Sequence, residues 1–210
     1  MKFSVSRLAC VAALATAALL PAQAIVLTQL PGVVASASNC YLNAGCVAAN
    51  DWSAAKILDG LDYDRTGRYA WNDGNFGTAG APAWVRLDFG SVFALESAEL
   101  RFTYNQGRFA NQTNVYQFRT STDGANWAVS ASGTLVDSAD PALLNNTATW
   151  APGTGPLARY VEYRVVGGSH WAALSEMKVE GVSAVPEPGA MALWAAGLAV
   201  VLRIARHRRA

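Results

Sequence analysis

The densest set of chemistry-bearing side chains is Asp59, Asp62 and Asp64 with Thr66, in a stretch that also holds Gly60 and Gly67. Closely spaced hard oxygens suit Ca2+, which takes about six to eight of them from carboxylates and carbonyls. A solvated acidic turn has the same composition, and both readings stand at this point. The glycine and terminal glutamate of an EF-hand have no counterpart here. Cys40 and Cys46 are the next candidates. If the chain is exported they should form a disulfide, and closing a seven-residue loop contributes about 2 kcal/mol in the chain-entropy treatment. A zinc site would want four ligands, and His170 is the only histidine outside the C-terminal tail.

Catalytic chemistry finds little support. With that single histidine there is no Ser-His-Asp set, and Gly168-Ser169-His170 is not a nucleophile elbow. Phosphate loops and Cys-x-x-Cys sites are missing, and no spacing singles out a carboxylate pair for glycoside hydrolysis. The expectation is a protein that is not an enzyme. Overall charge is +1 with 52% apolar and 15% charged residues, which excludes a disordered acidic chain. The cations gather at the ends: residues 25–184 carry ten basic against fourteen acidic residues, a net of −4, which argues against nucleic acid as a partner.

The elements that must position these residues lie between two apolar, cationic termini. Lys2 and Arg7 precede the 13-residue apolar run Leu8–Leu20, and Pro21-Ala22-Gln23-Ala24 ends it with small residues where a signal peptidase cuts. Residues 1–24 are expected to be a signal peptide, because 13 residues are too few for the roughly 20 that a spanning helix needs. Cys10 would leave with it. Residues 185–210 pair the stiff Val185-Pro186-Glu187-Pro188 with a second 13-residue apolar run, Ala190–Leu202, and then Arg203, Arg206, His207, Arg208 and Arg209. As a helix this run crosses a bilayer only if Arg203 snorkels, and its cationic end predicts a cytoplasmic C-terminus. The layout resembles the PEP-CTERM sorting signal of Gram-negative bacteria. That resemblance implies an inner-membrane-anchored precursor, an exosortase that removes the tail, and a product outside the cell, at its surface or in an exopolysaccharide biofilm matrix. A permanent transmembrane tail anchor is the alternative.

Between the termini, residues 25–184 read as short alternating segments punctuated by Gly, Asn, Asp and Pro, the pattern of an all-β sandwich. Strands are predicted at Trp84–Phe89, Ala98–Tyr104, Val115–Thr120, Arg159–Val166 and Leu174–Val179. In the fourth, Val161, Tyr163 and Val165 alternate with Glu162 and Arg164, so one face should be buried and the other wet. Asp123-Gly124 is a hairpin-turn signal. Trp84, Val85, Leu87 and Phe89 are expected to fill the core, and Trp127 to begin a returning strand in a core or turn role.

Six phrases, in order, resemble the discoidin or F5/8 type C family. They are Val34-Ala35-Ser36-Ala37-Ser38; Lys56-Ile57-Leu58-Asp59-Gly60 followed by Trp71; Trp84-Val85-Arg86-Leu87-Asp88-Phe89-Gly90; Ser121-Thr122-Asp123-Gly124-Ala125-Asn126-Trp127; Arg159-Tyr160-Val161; and Leu174-Ser175-Glu176-Met177-Lys178-Val179-Glu180-Gly181. Together they span roughly residues 33–182. The resemblance implies a galactose-binding-like jelly-roll β-sandwich, shared with carbohydrate-binding modules of family 32, and a glycan or exopolysaccharide partner. It implies a structural Ca2+ held by Asp59, Thr66 and Glu176, with Asp62 nearby. The same resemblance puts ligands on loops at one end of the sandwich. A sugar there needs an aromatic platform and a few oriented polar groups, for which Trp71, Asn72, Arg108, Phe109, Asn111, His170 and Trp171 are of the right type. Trp171, Arg108, His170 and Trp71 are the leading four. Two alternatives remain open: an adhesive matrix protein without a sugar pocket, and lipid binding through exposed loop aromatics such as Phe76 or Phe109.

Overall fold

The computed structural model describes residues 23–42, 46, 52–60, 70–102, 112–137, 145–184 and 196–201. Residues 24–182 form one compact unit and the two terminal segments another. In the terminal unit, residues 196–201 are helical and expose Leu198, Val200 and Val201. Among the described residues no helix is long and apolar enough to cross a membrane. The proposed signal peptide (except Gln23 and Ala24) and the Pro186-Glu187-Pro188 motif lie outside the described residues.

The larger unit is a β-sandwich with ten strands among the described residues: β1 (Ile25–Val26), β2 (Val34–Ala37), β3 (Trp71–Asn72), β4 (Ala83–Arg101), β5 (Thr113–Ser121), β6 (Ala128–Val136), β7 (Asn145–Thr149), β8 (Leu157–Gly168), β9 (Ala173–Leu174) and β10 (Glu176–Ser183). The first half of β4 pairs with β2 on one side and β8 on the other, and β8 continues through β5 to β6. The second half of β4 pairs with β7 and neighbours β10, which carries β1 at its edge. One strand therefore serves both layers. Strands β3 and β9 form a separate antiparallel pair.

The sequence pattern suggested two strands where β4 is one, and the register explains why. Asp88 faces Tyr160 and Phe93 faces Ala158, so residues 89–92 of β4 bulge out opposite Arg159 alone. Extra residues on one strand bend it and increase its twist. Gly90 takes φ +77°, a left-handed conformation costly for residues with a Cβ, and its N–H donates to Asp88 Oδ1 at 2.7 Å. Arg159 clamps the corner with two bonds to the Asp88 carboxylate, at 2.8 and 2.9 Å. The Arg159 hydrogen bond holds the Asp88 carboxyl below its ordinary pKa.

Alternation decides what is inside. Val85 and Leu87 of β4, Tyr116 and Phe118 of β5, and Val161, Tyr163 and Val165 of β8 join Leu100, Phe102, Met177 and Val179 in one buried cluster. Burying side chains of this size contributes about 1.5–3 kcal/mol each. Phe102 is buried as the pattern requires, while its expected companion Tyr104 falls outside the described residues. One core expectation needs correcting: Trp84 is opposite Arg164, on the outer side of the layer. Period two forces this result for Trp84, since its neighbours Ala83 and Val85 point inward. Trp127 takes the turn role, its Nε1 donating to Gly124 O just before β6, and its ring lies near Arg86 and Arg119. The β5–β6 hairpin forms, with a connection longer than a two-residue turn. Asp123 Oδ1 accepts from the N–H groups of Ala125 and Asn126, and these bonds push the Asp123 carboxyl far below its ordinary pKa.

Candidate functional site

The rim beside β3 and β9 gathers residues from four separated stretches of chain. Its buried anchor is Asn114, at the start of β5. Its Nδ2 donates toward the carbonyls of Thr113, His170 and Trp171, at 3.2, 3.3 and 3.2 Å, and its Oδ1 accepts from Tyr163 Oη and Ala173 N. The N–H groups of Ser169 and His170 both donate to Thr113 O. One fully buried amide thus holds the turn that carries Trp171. Burial raises the Tyr163 phenol well above its ordinary pKa, so it stays neutral and able to donate.

On this base Trp171, 37% exposed, stacks on Tyr41 with ring centroids 5.7 Å apart and planes 29° from parallel. Tyr41 meets Trp52 edge to face at 6.4 Å. The Tyr41 N–H donates to Asn72 O, and the Cys40–Cys46 disulfide, with Cα atoms 5.3 Å apart, closes the loop that bears it. Gly74 leaves the room the ring needs: its φ is +83°, and a Cβ there would come within 2.8 Å of Tyr41 Cδ2.

The next loop is organised by the buried Asp73. Its carboxylate accepts from Ser38 Oγ at 2.6 Å and Asn75 Nδ2 at 2.9 Å, and its carbonyl accepts from Asn39 Nδ2. Ala172 N donates to Asn75 O, which ties the segment bearing the exposed Asn75 and Phe76 to the residue after Trp171. The rim therefore offers a stacked aromatic pair, an exposed phenyl ring and amide groups. Flat apolar faces with a few polar neighbours are what the C–H side and hydroxyls of a pyranose require.

The sequence candidates separate here. Trp171 is on the rim. His170 is buried: its ring meets Phe102 edge to face at 5.4 Å, and its Nδ1 donates to Trp171 O at 2.8 Å. Trp71 is wholly buried, with its Nε1 donating to Asn39 O and its ring edge against Tyr163. Neither presents a face to a ligand; both support the platform from below. Asn72 is buried too, and its Oδ1 accepts from Gly74 N. Arg108, Phe109 and Asn111 lie outside the described residues. Tyr41 and Asn75 escaped sequence reasoning. Tyr41 follows Cys40 directly, and a bridged loop presenting an aromatic residue was the available signal.

The calcium candidates fall at another corner. Asp59 ends a short 3-10 turn, Ala54–Leu58, and Lys56 Nζ lies 3.5 Å from its Oδ2. Gly60 N donates to Glu176 Oε2 at 3.2 Å, so Glu176 at the head of β10 reaches the residue next to Asp59 across 116 positions of sequence. Asp62, Asp64 and Thr66 lie outside the described residues. No group of three or more His, Cys, Asp or Glu side chains able to hold a metal occurs among the described residues.

The larger unit is thus a β-sandwich that displays aromatic and polar groups at a loop rim. The sequence model of the F5/8 type C domain matches residues 34–177, and the chain belongs to that family. No curated protein matches the sequence. Among solved structures, the chain is similar to CpGH89CBM32-5 from Clostridium perfringens, solved with GalNAc-beta-1,3-galactose. Identity is 18%, TM-score 0.54, with 74% of this chain and 99% of that one covered. The family 32 CBM of C. perfringens NanJ, solved with galactose, matches at 16% identity and TM-score 0.53, covering 75% and 99%. Chitosan-binding module 1 from a Paenibacillus sp. IK-5 chitosanase/glucanase matches at 19% identity and TM-score 0.50, covering 74% and 98%. At these identities the likeness establishes the fold.

Proposed function

We propose that this protein is a non-catalytic carbohydrate-binding module whose rim, formed by Trp171, Tyr41, Asn75 and Phe76, holds a sugar of an exopolysaccharide or cell-surface glycan. The carrying observation is the stacked, partly exposed Tyr41–Trp171 pair beside a loop rich in amides. The neighbours bound to GalNAc-beta-1,3-galactose and galactose, and the chitosan-binding module, support the ligand class. In this reading the protein is exported with its N-terminal signal, held briefly in the inner membrane by its C-terminal helix, and released by an exosortase acting near Pro186-Glu187-Pro188. A Ca2+ would be held by Asp59 and Glu176 with Asp62 and Thr66, stiffening the corner and taking no part in sugar contact.

Glycan-array screening followed by titration of Trp171→Ala and Tyr41→Ala tests the rim. Single-site affinity is expected in the millimolar to high micromolar range, roughly −4 to −6 kcal/mol. Unchanged affinity in both variants would reject this site.

A further inference from the structure

We infer that the outer face of the β4–β8–β5 layer is a second binding surface, distinct from the rim, for a carboxylate-bearing polysaccharide. Residues paired across strands share a face, and here one row reads Arg86, Glu162, Arg119 across β4, β8 and β5. Glu162 is fully buried beneath three guanidinium groups: Arg86 at 2.8 Å, Arg119 at 2.9 Å and Arg164 at 3.4 Å. In the next row of this face, Asp88 with Tyr160, the guanidinium of Arg159 reaches Asp88 from the bulge. The carboxylate lies below and the cations above: Glu162 has no exposure, while the side chains of Arg86, Arg119, Arg164 and Arg159 are 27%, 18%, 29% and 39% exposed. Four arginines face two carboxylates, and the nearby Asp123 is turned into its own hairpin. A unit of net charge −4 thus concentrates four of its ten cations on one face.

The array is also held rigid. Arg86 lies between Trp84 and Trp127, 4.5 and 4.4 Å from the two ring centroids; Arg119 lies 5.4 Å from Trp127, and Arg159 4.9 Å from Tyr160. Stacked, paired guanidinium groups lose little further freedom when they bind, and each carries five N–H donors in a fork that fits a carboxylate. Arg86 and Arg119 rise from the strands on either side of β8 and converge on Glu162, so their remaining N–H groups form one compact cationic patch for a carboxylate. Stacking of nucleobases is disfavoured because arginines already cover the indole faces. Uronate-type sugars meet the requirement: carboxylates for the forks and no need of a free aromatic face.

The test is affinity electrophoresis of the full chain through gels containing polygalacturonate, dextran, dextran sulfate or single-stranded DNA. The Arg-rich C-terminus is common to all variants, so differences report on the face. Expected is retardation by polygalacturonate and not dextran, weakened about tenfold in Arg119→Gln/Arg164→Gln and less in the Lys counterparts. It should persist in Trp171→Ala/Tyr41→Ala, and fade between 0.1 and 1 M salt as the screening length drops from about 10 to 3 Å. Should the double variant fail to fold, Arg164→Gln alone, which leaves the two shorter Glu162 bonds, supplies the comparison. Retardation insensitive to the arginine substitutions, lost only with the rim pair, or as strong on dextran sulfate or DNA would overturn the inference.

Discussion

Asn114 and Gly74 carry more of the rim than the aromatic residues themselves. Asn114→Ala takes a donor from His170 O and leaves Tyr163 Oη and Ala173 N without this acceptor, whereas Thr113 O and Trp171 O keep their other donors. Unsatisfied buried groups cost about 1–3 kcal/mol each, partly relieved by relaxation, so a loss near 3 kcal/mol is expected in urea denaturation. Gly74→Ala combines a left-handed backbone with a contact against Tyr41. It should cost about 1–2 kcal/mol and, unlike a surface change, alter near-UV circular dichroism as the Tyr41–Trp171 stack shifts. Neither role was legible beforehand. Asparagine and glycine are common loop residues, and their partners lie 30 to 60 positions away.

Among the elements, the Cys40–Cys46 loop and the β4 corner are the most exposed to simple tests. Cys40→Ser/Cys46→Ser releases a seven-residue loop and should lower stability by about 2 kcal/mol. Because the loop bears Tyr41, sugar affinity should fall as well; wild-type values for both would detach the loop from the site. The two-strand expectation for residues 84–104 missed the corner for a physical reason. Gly90 signals a turn equally well whether the chain reverses or merely bends, and only the pairing with β8, with Arg159 opposite the bulge, distinguishes the two. Strand β7, Asn145–Thr149, was invisible because its polar sequence has no apolar alternation.

At the scale of the whole molecule, acid should weaken the fold. The carboxyls of Asp88, Asp123 and Glu180 all have folded-state pKa values below their ordinary ones, owing to Arg159, the hairpin N–H groups and Lys178 respectively. A depressed carboxyl contributes stability that is complete above its unfolded pKa, near about 4, and is lost as pH falls through the folded value. Thermal melts should therefore be level from neutrality to about pH 5 and decline below pH 4; a melting temperature unchanged at pH 2.5 would contradict this. If Ca2+ sits at the Asp59–Glu176 corner, melting in calcium should exceed that in chelator, and equality removes the ion. The secreted product's mass decides the tail: a chain ending near Pro188 supports sorting, and a full-length membrane-bound chain supports an anchor.

By itself the sequence determined the all-β character, the burial of Val161, Tyr163 and Val165, and the family, because period-two alternation and local turn residues are properties of neighbouring positions. Tertiary structure alone decided that Trp71 and His170 support the rim rather than line it, that Trp84 and Trp127 lie outside over arginines, and that three of those arginines converge on Glu162. Such outcomes depend on which strands pair and in what register, and pairing joins residues that share no local pattern.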